Sequence, residues 1–342
     1  MSGLRFADIE TKTLEVLDFT SFVVEEFRAL VEPFEEMFQA HVAKWRLDGK
    51  PRKARRYSTY KTCPLPTPED RLLFILAYVK TNPLQFMHGR LFGMPQCKAN
   101  IWIHLLFPIL QSTLAGLGYA PCRSLVDLAK RLNVTMDQAS QILEDAGQKA
   151  VLEPSEQTKA SSQPIMPTEG GPVYCHDGTE RGIPRPQDPE DQKLYYSGKK
   201  KKHTVKNVLL IDGTLSIIFL SETVEGKMHD KKIADAAPYP LPQGSQLLQD
   251  LGFQAFTLNG VQTVTPIKKP RGKDLTPEQK DANRELSRRR VRIEHVNSSV
   301  KRCRIVKDVI RLLKDGMRDL VMDVCCALHN FRVSWSLWKP MV

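Results

Sequence analysis

Three acidic residues stand where two-metal phosphodiester chemistry could use them: Asp177 in YCHDGTE, Asp250 in QLLQDLGF and Glu294 in RRRVRIEHVN. Two divalent ions roughly 4 Å apart can activate a water or a 3′-hydroxyl and stabilise the leaving oxygen. Hard ions such as Mg²⁺ take one or two carboxylates each, and three suffice when one bridges both. Taken singly, each acid has a plainer role. Asp177 before Gly178-Thr179 makes an ordinary turn, Asp250 before Leu251-Gly252 makes an Asx turn, and Glu294 pairs on a helix surface with Arg290 four residues earlier.

The elements that would position them follow from periodicity. From Arg284 to Lys307 the chain reads RELSRRRVRIEHVNSSVKRCRIVK. Ile293, Val296, Val300 and Cys303 recur at helical spacing and give one apolar stripe, while Arg288, Arg292, His295 and Arg302 make a positive one beside it. Asp177 is expected at the end of a first strand and Asp250 at the end of a later one. Between them HTVKNVLLID and LSIIFLSETV, joined by Asp212-Gly213-Thr214, predict a hairpin over about 203–211 and 215–223. A short helix is expected over 230–237, a Lys/Pro/Gly-rich loop over 266–277, then two long helices. The last carries Leu320, Val324, Leu328 and Phe331 on one face and is expected to pack on the sheet. Strands followed by helices make an α/β layered domain.

The N-terminal half is helical. Val23, Phe27, Leu30, Phe34 and Phe38 form a stripe, with Asp18 or Thr20 as N-cap. Residues 47–62 are basic and broken by Pro and Gly, which suits a linker or an arm along a DNA backbone. Over 83–110 a helix to Leu91, a turn at Phe92-Gly93-Met94 and a helix from Pro95 read equally as a helix-turn-helix or as an ordinary hairpin. Gln96, Lys98, Asn100 and His104 fall on its polar face. A second candidate, 124–146, has the spacing but too many acids to face phosphates. The run 153–171, rich in Pro, Ser and Thr, reads as a linker.

With 342 residues and 41% apolar content the chain suits two or three folded domains. Fifty Lys and Arg against 39 acids leave a net charge of +11, which suits a polyanionic partner. No apolar run approaches the roughly 18 residues of a membrane span. The seven cysteines contain no CxxC pair, which argues for reduced thiols rather than zinc or a disulfide scaffold.

Five blocks, HDGTERGIPRP (176–186), YYSGKKKKHTVKN (195–207), EGKMHDKKIAD (225–235), LLQDLGF (247–253) and RIEHVNSSVKRCRIVKD (292–308), followed by CCALHNFRV (325–333), carry a resemblance in order and spacing. Together they resemble the DDE superfamily endonuclease domain of bacterial insertion-sequence transposases of the IS-five type. The resemblance implies an RNase H-like mixed sheet flanked by helices (α/β), preceded by an all-α helix-turn-helix domain. The implied division is a helical cap and basic linker (1–62), a helix-turn-helix domain (63–151), a linker (152–172) and the endonuclease domain (173–335). Asp177, Asp250 and Glu294 match the triad and would hold two Mg²⁺ or Mn²⁺ ions. His229 and Asp230, in a family-like block, stand as supporting or alternative groups. Lys98, Asn100, Lys199, Lys200, Lys201, Lys202, His203, Lys206, Arg288, Arg292, Lys301, Arg302 and Arg304 would track DNA. The resemblance further implies double-stranded DNA as partner, a homodimer pairing two ends and a prokaryotic cytoplasmic, nucleoid-associated setting. An endonuclease without strand transfer, or a DNA-binding remnant without activity, shares these features. His176 departs from the family pattern, where an aliphatic residue precedes the first Asp.

Overall fold

The computed structural model describes residues 3–53, 56–135 and 171–335. In chain order its helices are α1 (Thr13–Thr20), α2 (Val24–Lys44), α3 (Pro68–Thr81), α4 (Gln85–Leu91), α5 (Gln96–Gly116), α6 (Leu125–Arg131), α7 (Pro189–Tyr195), α8 (Asp230–Asp235), α9 (Pro277–Val300), α10 (Arg304–Lys307) and α11 (Met317–Trp335). The strands are β1 (Val173–Gly182), β2 (Tyr196–Ser197), β3 (Lys202–Ile211), β4 (Ile217–Leu220), β5 (Val224–Glu225), β6 (Gln246–Leu248) and β7 (Gln262–Val264). The chain divides into two compact units, Met1–Tyr119 with Val300–Trp335, and Ala120–Ser299.

The first unit is all helical. Phe27, Leu30, Phe34 and Phe38 of α2 are fully buried, as their spacing predicts, each ring or leucine burying about 2–3 kcal/mol of apolar surface. The predicted N-caps do not serve α2: Thr20 ends α1, Ser21 turns the chain in the left-handed region (φ 65°), and Val23 precedes α2 with its N–H donated to Glu26 (3.0 Å). Glu26 thus supplies only the reciprocal half of a capping box, accepting the N–H of the cap residue itself. Thr67 caps α3 by accepting the Asp70 N–H at 3.1 Å, and Pro68 occupies the first turn, where a missing N–H costs nothing.

The last helix belongs to the helical unit rather than to the unit that holds the sheet. α11 packs on α5, where Gln111 donates to Asp323 (3.0 Å) and Phe331 meets Tyr119 edge-on (5.2 Å). Its apolar face specified burial but carried no information about the partner.

The second unit holds a mixed sheet ordered β2-β3-β1-β6-β7, with β4 and β5 also on β3. β1 runs antiparallel to β3 and parallel to β6. The predicted hairpin is β3–β4, closed by Asp212, whose Oδ1 accepts the N–H groups of Thr214 (2.9 Å) and Ser216 (3.1 Å). One core lies on the face formed by Tyr174, Val208, Leu210, Leu247, Phe253 and Phe256. α6 joins it through Leu128, and Cys122 exchanges backbone hydrogen bonds with Ile218 and Leu220. The chain from Ala120 therefore belongs with the sheet. The second half of the 124–146 candidate and the linker over 153–170 lie outside the described residues.

Candidate active site

The parallel register of β1 and β6 brings two of the acids together. Val173 pairs with Gln246, Tyr174 with Leu247 and Cys175 with Leu248. Carrying the same offset two residues further aligns His176 with Gln249 and Asp177 with Asp250. The first of these pairs is joined by a side-chain hydrogen bond, His176 Nε2 to Gln249 Oε1 at 3.2 Å. Because neighbours on a strand face opposite ways, His176 enters the core, stacked on Phe253 at 3.8 Å, and Asp177 faces away from it.

Asp177 lies in mid-strand, opposite Leu209 of β3, rather than at a strand end as expected. The turn suggested by Gly178-Thr179 is overridden because β3 supplies ladder partners through Gly182. Asp250 does follow its strand, and it caps the short 3-10 turn Leu251–Phe253 by accepting the Gly252 N–H at 2.7 Å.

Asp230, the first residue of α8, comes closer to this pair than its sequence distance suggests. A Cβ on Gly178 would stand 2.6 Å from the Asp230 Cγ. One on Gly252 would stand 2.9 Å from Asp250 Oδ1 and 3.5 Å from Asp230 Oδ2. A side chain at Gly178 would meet the Asp230 carboxylate, and one at Gly252 chiefly that of Asp250. Lys206 Nζ stands 3.2 Å from Asp230 Oδ1 and donates to the Met228 carbonyl at 2.9 Å. Lys206, expected on a DNA backbone, thus neutralises a carboxylate of the cluster.

Helix α9 supplies the other wall. Ile293, Val296 and Val300 are buried, as their spacing predicts. Asn297 donates its amide to Asp177 Oδ2 at 2.7 Å, and the Arg290 guanidinium acts on Asp177 and Cys175 from two turns further back. Glu294 lies between Arg290 and Asn297 on that helix face, four residues after one and three before the other. It is exposed and makes no ion pair among the described residues, so the predicted pair with Arg290 does not form. Arg290 Nε and Asn297 Oδ1 are buried without a hydrogen-bond partner.

Burial first, then the neighbouring Asp250, push the Asp177 carboxyl up to about 6; Arg290 and the Gly178 N–H act against the rise, and Asp230 adds to it. A site that raises a carboxyl by crowding it with others is short of positive charge. That deficit and the hard oxygen donors fit a divalent cation. Among the described residues, no three His, Cys, Asp or Glu side chains converge closely enough to chelate one in this conformation.

The basic residues fall in several places. Lys199, Lys200, Lys201 and Lys202 are exposed at the β2–β3 connection, and the half-buried His203 ring meets Tyr196 at 5.6 Å. On α9, Arg288 is exposed and pairs with Glu285 (3.3 Å), and Arg292 is half-buried. Lys301, Arg302 and Arg304 belong to the helical unit, where Arg304 pairs with Asp308 at 3.1 Å. Lys98 is exposed on α5, whereas Asn100 donates to Gln85 of α4 at 3.0 Å. Sequence reasoning passed over Asn297, although its position one helical turn beyond Glu294 was a usable signal.

Against this geometry, the comparison with known families is specific. Residues 176–330 match the DDE superfamily endonuclease family. The matched stretch begins one residue before Asp177 and includes Asp230, Asp250 and Glu294. A probable transposase for insertion sequence element IS702 from Microchaete diplosiphon is 37% identical over 146 residues, 43% of this chain and 52% of the relative. The chain thus spans about half the length of that relative. No solved structure matches.

Proposed function

We propose that this protein is a DNA transposase of an insertion sequence, cleaving phosphodiester bonds at element ends and transferring the 3′-hydroxyl ends to target DNA. The observation that carries the reading is the approach of Asp250, two residues past β6, to Asp177 on the parallel strand β1 inside the endonuclease match, with Asn297 of α9, three residues after Glu294, bonded to Asp177. Asp177, Asp250 and Glu294 would hold Mg²⁺ or Mn²⁺. Bound there, the metal would supply activation of a water or 3′-hydroxyl and neutralisation of the phosphoryl oxygens.

The chain's own residues prepare this site. Asn297 fixes one oxygen of Asp177, Arg290 offsets its charge, and Gly178 and Gly252 leave room for the carboxylates. Asp230 is held by Lys206 and serves to crowd and orient Asp177 and Asp250 rather than to ligate. The sheet would be RNase H-like. α4 and α5, joined through Gly93 at φ 67°, would be the helix-turn-helix that reads DNA, with Lys98 at its exposed start. The tetralysine turn and the Arg-rich face of α9 would follow the backbone of a duplex, and a dimer would pair two ends in a prokaryotic cytoplasm.

The test is nicking of DNA carrying the element's ends, with Mg²⁺, by the wild type and by Asp177→Asn, Asp250→Asn and Glu294→Gln. Loss of nicking with retained DNA binding is expected for all three. Unchanged cutting by any of them removes that residue from the metal site.

A further inference from the structure

Residues 47–53 and 56–60, within the stretch 47–62 that the sequence leaves open as a linker or an arm, are folded against the helical unit. Arg46 and Lys50 close a tight turn by a backbone hydrogen bond of 2.8 Å, with Gly49 in the left-handed region (φ 78°). Arg52 fastens the segment to α2: its N–H donates to the Lys44 carbonyl (2.8 Å) and its Nε to the Val42 carbonyl (2.6 Å). Further on, Tyr57 packs edge-on against Phe38 at 5.5 Å, and Phe38 stacks on Trp102 of α5 at 6.3 Å. The turn at 46–52 and the residues around Tyr57 together form a wall.

Between that wall and the start of α5 opens a cleft of about 980 Å³. Lys50, Lys53 and Arg56 line one side and Lys98 the other, all exposed, and none of the four is in an ion pair among the described residues. Asp48, the acid in the lining, is taken up by Arg46 at 3.1 Å. Tyr60 lies beneath the Lys98 ammonium, 6.0 Å from its centroid, with 40% of its surface exposed.

We infer that this cleft binds a single strand of nucleic acid, its phosphates on Lys50, Lys53, Arg56 and Lys98 and a base against Tyr60. Four uncompensated cations around one cleft call for a polyanion. The exposed ring selects among polyanions, because a duplex keeps its bases stacked inside while a single strand can place one on an aromatic face. The choice of DNA over RNA rests on the function proposed above; the cleft itself specifies a phosphodiester strand with free bases.

The experiment uses the full chain, in EDTA so that no cutting occurs, with a labelled single-stranded DNA oligonucleotide, its blunt duplex, the matching RNA strand and polyphosphate, read by fluorescence anisotropy over a salt series. The triple change Lys53→Ala, Arg56→Ala, Lys98→Ala is expected to weaken single-strand binding at least tenfold and to flatten the log–log salt slope by about 2, from three phosphate contacts at about 0.7 each. Tyr60→Ala is expected to weaken it roughly tenfold with the salt slope unchanged, and to leave duplex and polyphosphate binding as in wild type. All four side chains are on the surface, and matching thermal melts confirm folding. Wild-type single-strand affinity in the triple variant, or equal losses for strand and duplex in Tyr60→Ala, overturns the inference. Tighter binding of RNA than of DNA keeps the cleft and reassigns the strand. Wild-type protein that nicks no DNA while the cleft variants lose strand binding removes the endonuclease reading alone; nicking with intact strand binding in the cleft variants removes the cleft alone.

Discussion

Asp177→Asn removes a charge that the folded chain holds at a cost, and the resulting change in stability can be worked from the structure. The variant amide can still accept the Asn297 hydrogen bond through its own oxygen, so the geometry at 2.7 Å is kept. Folding raises the Asp177 carboxyl from 3.8 to about 6, chiefly through burial and Asp250. A group whose folded value is raised is neutral, and costs nothing, below the unfolded value; the penalty grows as pH rises and is complete above about 6. At about 1.4 kcal/mol per pH unit the penalty at pH 8 is about 3 kcal/mol at most, and solvent screening brings the expected range to about 1–3 kcal/mol. Metal-free Asp177→Asn should therefore melt higher than wild type at pH 8, by roughly 3–10 °C for a unit of this size, with the gap closing toward pH 4. Added Mg²⁺ should raise the wild-type melt and not that of the variant, since only a ligand bound to the folded state stabilises it. Differential scanning calorimetry across pH 4–8, with and without Mg²⁺, measures all of this. A variant less stable than wild type at pH 8, or a gap that does not change with pH, refutes the account of a carboxylate crowded by its neighbours.

Other consequences can be checked separately. Gly178→Ala sets a methyl against Asp230 at 2.6 Å and should destabilise by about 1–3 kcal/mol in chemical denaturation; Asp230→Ala in the same chain should recover most of the loss. Asn297→Asp places a like charge 2.7 Å from Asp177 and should lower the metal-free melting temperature in neutral buffer and enlarge the rise that Mg²⁺ brings, whereas Asn297→Ser should leave that rise near the wild-type value. His176 is pushed down to about 3 by burial, so the folded chain refuses a proton that the unfolded chain takes up near 6.5. Stability carried by this group is intact above pH 6.5 and lost as pH falls toward 3. His176→Phe, which keeps a ring on Phe253, should make the fall in stability between pH 6.5 and 4 shallower in urea titrations.

The apolar stripe of α9, the β3–β4 hairpin and the α4–α5 pair were legible in the sequence because each is a local pattern: a residue type at a strand or helix period, or a turn with its own side-chain cap. Three things were decided only by tertiary structure. Asp177 and Asp250 come together through the parallel register of β1 and β6, which no property of either strand taken alone specifies. α11 carries an apolar face as predicted, but a face states how much must be buried and not against what, and the helix lies on α5. Asp230 reads as the start of a short helix; only the close approach of α8 to Gly178 and Gly252 makes it a third charge beside the pair, and that charge contributes to holding the Asp177 carboxyl well above its ordinary value. Periodicity is a property of neighbours along the chain, whereas a charge cluster depends on distances through space, and those are fixed only when the sheet closes.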